Sequence, residues 1–170
     1  MTQYRIFHPQ SNKFVVPKEL SKCIELSTSN VEGTGSAPSY GRELVFSESD
    51  GEDSYFELIP EKGKGKWSHI KHVKDGMYVT RASVPSSPYI TLMLSDTDPK
   101  SADLFKYQKR KQRIKCKTPP PPRFLHLPRR LFNEFWYGYN PAPNTPVYVL
   151  FRAAGFQRHP AAFNFMMEEV

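Results

Sequence analysis

Cysteine is scarce in this chain of 170 residues, with only Cys23 and Cys116 present. They are far apart, and without a secretory signal they read as two reduced thiols rather than a disulfide framework. No CxxC pair or Cys/His cluster occurs, so a structural zinc site is not expected. No apolar run approaches the ~18 residues that a membrane-spanning helix needs. The stretch MTQYRIFHPQ has neither an apolar h-region nor a small-residue cleavage site. No signal peptide is read there, and the expected location is the cytoplasm, or outside the cell without a recognisable signal peptide. Catalytic signatures are also missing: no HExxH, no GxSxG and no Gly-rich phosphate loop. GKGKW at 63–67 lacks both the spacing and the Ser/Thr of a P-loop. Asp50, Glu52 and Asp53 share one turn, which reads as solvated rather than as an acid/base pair. The expectation is a protein that is not an enzyme, with no cofactor and no metal.

What is present points to a packed domain. Hydrophobic residues make up 38% and aromatic residues 14%, too many for a disordered chain. The length suits one domain, 1–170, with a real core. Sixteen prolines argue against long helices. LVF, YITLML, VYVLF and FNFMM are β-branched or aromatic runs bounded by Pro, Gly, Ser and Asp, which is the pattern of strands. KDG between IKHV and MYV signals a hairpin with Gly76 at positive φ, and QSN does the same with Asn12. Only PKELSKCIELS suits a short helical turn, and its end reads equally well as a strand.

Charge is unevenly spread. Residues 1–60 carry nine acidic and five basic side chains, whereas residues 104–133 carry ten Lys/Arg and no Asp/Glu. A segment of that kind suits a sulfated glycan, a nucleic acid, an anionic membrane or an acidic protein face.

The chain also repeats itself. With His8 placed over His72, an offset of 64, Ile6, Phe14 and Val15 fall on Ile70, Tyr78 and Val79 without a gap. With His126 in the same column, RFLHLPRRLF contributes Phe124 and Phe132. A second block follows each copy: an apolar strand (LVF at 44–46, LML at 92–94, VLF at 149–151), a turn, then Phe56, Phe105 or Phe163. One such copy cannot bury its own apolar face, so three need a closed all-β solution. The first copy is lengthened by a loop over 18–41, and the third follows the stiff polyproline element KTPPPPR.

Three His-turn-Phe/Tyr hairpins and three Phe-x-apolar strands resemble the β-trefoil superfamily over nearly the whole chain. The resemblance implies three imperfect four-strand repeats with pseudo-threefold symmetry, near 1–60, 61–112 and 113–170. It also implies six barrel strands under a cap of three hairpins, closed by FNFMMEEV pairing with Tyr4, Arg5 and Ile6. HPQSN is similar to the His-Pro-x-Gly-Gly loops of mussel-type trefoil lectins, with Ser11 and Asn12 in place of the glycines. FELIPEKGKGKWSHIKHVKDGMYVTR resembles arabinofuranose-binding trefoil modules. The Gln-x-Trp of ricin-type repeats is absent.

The resemblance implies carbohydrate binding, with glycans or glycoproteins as partners. His8, His72 and His126 would line equivalent sugar sites, aided by Asn12 and Asp75 from the adjoining turns. Imidazoles exchange hydrogen bonds with hydroxyls, and aromatic rings stack on sugar faces. Trp67 and FWYGY at 135–139, with Trp136 and Tyr137, would supply the rings. Each histidine also has a plainer reading, in which it bonds a backbone carbonyl in the cap. The columns Phe14/Tyr78/Phe132 and Phe56/Phe105/Phe163 read as core.

Two alternatives stand beside this reading. Lys106, Lys109, Arg110, Lys111, Arg113, Lys115 and Lys117 form a basic run similar in placement to the heparin-binding cluster of growth-factor-type trefoils. It suits sulfated glycans, at 106–130. No aromatic pair for base stacking accompanies it, so nucleic acid is not expected. A solvated face is the plainer reading of such a run. The loops 18–41 and 119–146 would instead serve a protein-interaction trefoil: a protease inhibitor, a cytokine-like ligand or a cytoskeletal binder.

Overall fold

The computed structural model describes residues 1–25, 39–96, 102–118, 128–152 and 158–170. The all-β expectation holds. Among the described residues, twelve strands run in chain order: β1 (Gln3–His8), β2 (Lys13–Glu25), β3 (Ser39–Ser47), β4 (Tyr55–Pro60), β5 (Ser68–His72), β6 (Tyr78–Ser83), β7 (Ile90–Ser95), β8 (Phe105–Gln108), β9 (Arg113–Cys116), β10 (Glu134–Tyr137), β11 (Tyr148–Phe151) and β12 (Met166–Glu169). PKELSKCIELS resolves in favour of strand as far as Glu25, inside β2. Its register on β3 shifts between Pro17 and Leu20, where proline has no N–H to give to the ladder.

The strands belong to one sheet that closes into a barrel. β12 pairs with β1, Tyr4 opposite Glu169 and Ile6 opposite Met167, as expected for the closing strand. From there the pairing passes to β4, β5, β8 and β9. The Phe165 N–H donates to the Gln112 carbonyl at 2.7 Å, joining the approach to β12 to the turn before β9. The other six strands form three hairpins, β2–β3, β6–β7 and β10–β11. These pair with one another through β2–β6, β3–β7 and β7–β11. β7 is flanked on both edges, which is why ITLMLS is buried almost without alternation.

The core follows from strand register. Leu58 lies opposite Ile70 across β4–β5, and Tyr107 opposite Ile114 across β8–β9. Ile6, Ile70 and Ile114 are fully buried together. Phe56 lies opposite His72, and Phe105 opposite Cys116. Cys116 therefore holds the pairing position on β9 that His72 holds on β5. This corrects the third copy, since RIKC on β9, not the stretch around His126, matches HIKH on β5. Lys71 faces Tyr78, and Lys115 faces Phe135, so Phe135 takes the place expected for Phe132. The ungapped sequence match failed because a long insertion separates β9 from β10. His126 lies outside the described residues.

One aromatic column is core and the other is not. Phe56, Phe105 and Phe163 are buried, whereas Phe14, Tyr78 and Phe132 are only half-buried. Their neighbours Val15 and Val79 point inward instead, because successive side chains on a strand face opposite sides.

Candidate functional site

His8 and His72 are structural in their contacts. His8 is fully buried. Its Nδ1 lies 2.7 Å from the Ser11 hydroxyl and its Nε2 3.3 Å from the Ala162 carbonyl. Phe46 and Phe165 pack on either side, with centroids at 5.0 and 4.8 Å. Burial lowers the His8 pKa from 6.5 to about 4, against the pull of the Ala162 and Gly138 carbonyls. His72 is equally buried. Its Nε2 is 3.0 Å from the Asp53 carbonyl, and its Nδ1 lies 3.4 Å from the Asp75 N–H. Both rings thus follow the plainer reading, with each nitrogen engaged inside the protein and none turned to a sugar. Asp75 is also engaged, its carboxylate paired with Arg42 and 3.2 Å from His72. Asn12 is exposed at φ 55°, the left-handed conformation expected of this turn.

The aromatic cluster FWYGY divides in two. Trp136 is fully buried, with Phe105 and Phe165 packed edge-on at 5.6 and 5.9 Å, and Phe135 is buried beside Phe163. The expected role of Trp136 in an exposed platform is therefore corrected. On β10 it points into the barrel, where it fills the space between two phenylalanines. Tyr137 and Tyr139 remain accessible, half-buried and 49% exposed respectively.

These tyrosines belong to a groove that the register assembles. Tyr137 lies directly opposite Tyr148 across β10–β11. Tyr148 in turn lies opposite Thr91 on β7, and its ring is 5.4 Å from that of Tyr89, which precedes β7. Three tyrosines thus cross three strand positions in a row. The groove they line with Tyr139 encloses about 180 Å³, comparable to a cavity of about 150 Å³ that accepts one six-membered ring. Its floor is the loop after β10, stitched to β3. Asn144 N–H donates to Phe46 O (2.9 Å), Phe46 N–H to Thr145 O (3.0 Å) and Val147 N–H to Leu44 O (2.8 Å). Asn140 and Asn144 take positive φ to make those bends. Burial, with neighbouring tyrosines second, raises the Tyr137 pKa. Burial, then Glu43 and Tyr89, raises that of Tyr148. Both hydroxyls stay protonated at neutral pH and can donate as well as accept. Sequence reasoning found Tyr137 and Tyr139 but missed Tyr89 and Tyr148. The only available signal was the outward alternation of Tyr148 in VYVLF.

Gly138 makes the groove possible. A Cβ there would overlap the Phe46 ring. Gly138→Ala is expected to cost about 1–3 kcal/mol through overpacking, read as a lower urea midpoint.

The basic run forms the hairpin β8–β9, with Lys109, Arg110 and Lys111 exposed at its turn. Lys106 stands directly opposite Lys115, and Gln108 opposite Arg113. Burial lowers the Lys115 pKa, and the charge of Lys106 lowers it further. Arg113 is lowered by burial and then by Arg152. Trp67, half-buried, joins this hairpin rather than the histidines. The Lys115 and Lys117 ammonium groups lie 5.8 and 5.9 Å from its ring centroid. The turn that carries it is pinned by the Glu61 N–H on the Trp67 carbonyl at 3.1 Å. Of the loops 18–41 and 119–146, residues 26–38 and 119–127 lie outside the described residues, as does 119–127 of the basic stretch 106–130. Among the described residues, no group of three His, Cys, Asp or Glu could hold a metal, and no helix is long and apolar enough to cross a membrane.

No family model matches the chain, and no curated protein matches its sequence. Solved structures do match. The Rhizoctonia solani agglutinin aligns over 99% of this chain and 94% of its own, with a TM-score of 0.61 and 17% identity. The chain has a β-trefoil fold. A Macrolepiota procera ricin B-like lectin, solved in complex with lactose, aligns over 99% of this chain and 95% of its own, with a TM-score of 0.55 and 12% identity. A designed threefold-symmetric protein, ThreeFoil, aligns over 99% of both, with a TM-score of 0.59 and 10% identity. At these identities the trefoil is shared as a fold, and its site residues are this chain's own.

Proposed function

We propose that this trefoil is a glycan-binding protein without catalytic activity, and that a neutral sugar ring occupies the groove between Tyr137, Tyr148 and Tyr89. The alignment of three tyrosines over a formed hollow carries the reading. It offers aromatic faces for the C–H side of a sugar and protonated hydroxyls for its polar edge. Lectins recur among the solved trefoils of this shape, one of them in complex with lactose. The reading moves the sugar from the histidine columns to the end of β10. It keeps three units near 1–60, 61–112 and 113–170, supported by the four strands that fall within each.

A glycan array at two salt concentrations, followed by calorimetry on the best hit, tests this. Binding of a neutral glycan is expected to persist at high salt. Tyr137→Ala and Tyr89→Ala are each expected to weaken it by about tenfold, the loss of one packed ring and its hydroxyl. Unchanged affinity in both variants would move the sugar elsewhere. No neutral-glycan binding at all would sink the reading.

A further inference from the structure

On β8, β9 and the residue after it, three cations lie together with no ion-pair partner among the described residues. Lys106 and Lys115 face each other across β8–β9, a like-charge pairing that destabilises a sheet. Lys115 and Lys117 both approach the single ring of Trp67. None of the three forms an ion pair among the described residues. The face thus offers a pair of lysines across β8–β9 and two ammonium groups held beside one indole. Repulsion held in place by an indole is relieved by an anion that bridges the lysines.

We propose that this face is a second glycan site, for an acidic polysaccharide whose sulfate or carboxylate groups bridge Lys106, Lys115 and Lys117. Trp67 is a positioning residue, since its ring holds two of the ammonium groups where the anions arrive. A sugar chain fits better than nucleic acid. The Trp67 ring is already covered by two lysines, so among the described residues this face presents no open row of rings for successive bases. The net charge of +7 draws an acidic chain toward the protein. The site does not rest on the tyrosine groove.

The test uses the whole chain and a defined heparin-like oligosaccharide, its desulfated form and a single-stranded nucleic acid of similar charge. Calorimetry is run across a salt series. Binding is expected for the sulfated form and not for the desulfated one. Lys115→Gln with Lys117→Gln is expected to weaken it by about tenfold and to flatten its salt dependence. Trp67→Leu is expected to lower affinity while leaving the salt dependence unchanged, because it removes no charge. The charge-matched Lys18→Gln with Lys22→Gln on β2 is expected to bind as the parent does. Lack of binding to the sulfated chain, equal loss in the β2 variant, or tighter binding to the nucleic acid would each overturn the site. Because neutral-glycan binding is measured separately, failure here is distinguishable from failure of the tyrosine groove.

Discussion

Replacing Arg81 with methionine is expected to cost about 3–5 kcal/mol at neutral pH, the penalty for breaking a buried ion pair from one side. Arg81 is 5% exposed on β6. Its Nη1 donates to Glu134 on β10, and its Nε donates to Asp103 at 3.2 Å. The Arg81 backbone N–H donates to the same Asp103 carboxylate at 2.6 Å. One guanidinium therefore ties two hairpins to the approach of β8. Burial works against its charge, but Asp103 and Glu134 outweigh that and hold its pKa above the usual arginine value. Methionine fills the stem and leaves two largely buried carboxyl groups without their cation. The pH dependence has a definite sign. Burial raises the Glu134 pKa, with Arg81 opposing. The folded state thus keeps the Glu134 proton to higher pH than the unfolded chain does, and stability falls as pH rises through that interval. Without Arg81 the interval widens. The deficit of the variant relative to the parent is expected to be largest at neutral pH and to shrink in acid. Urea denaturation of both proteins across pH measures it, and a deficit independent of pH would refute the account.

Acidification of the parent protein is expected to remove about 3 kcal/mol of stability through His8 alone. The folded pKa is lowered from 6.5 to about 4, chiefly by burial. The unfolded chain therefore takes up a proton first. The contribution is fully present above about pH 6.5, is lost progressively as pH falls toward about 4, and does not change below that. His8→Asn is expected to be less stable at neutral pH, since it leaves space between Phe46 and Phe165, but to lack this acid slope. A variant that retains the parent's slope through that window would show that the ring is not held neutral. The same variant separates two roles for His8. Loss of glycan binding in step with the folded fraction marks a packing residue, whereas loss of binding with stability intact would restore the histidine pocket.

Much of the fold was legible because its signals are local. Turn chemistry placed Asn12 and Gly76 at positive φ, where a left-handed bend is needed and few residues tolerate it. Alternating apolar runs marked the strands, and the repeat called for closure of the barrel by the last strand on the first. The site was far less legible. A histidine column in a sequence looks the same whether its rings meet a sugar or a backbone carbonyl. The outcome depends on Ala162 and Asp53, which lie 154 and 19 residues away from His8 and His72. Trp136 and Tyr137 are adjacent and equally aromatic, yet one fills the barrel and the other lines the groove.

The sequence by itself determined an all-β chain of short strands, its tight turns, its closing strand and the concentration of positive charge on one hairpin. These follow from periodicity, backbone sterics and composition, which act over a few residues at a time. Tertiary structure alone decided that Cys116 stands where a third histidine was expected, because a long insertion hides the register of β9 and β10. It also brought Tyr89, Tyr137 and Tyr148 into one row and set Trp67 against Lys115 and Lys117. Those neighbours are separated by tens of residues, and only the pairing of distant strands places them side by side.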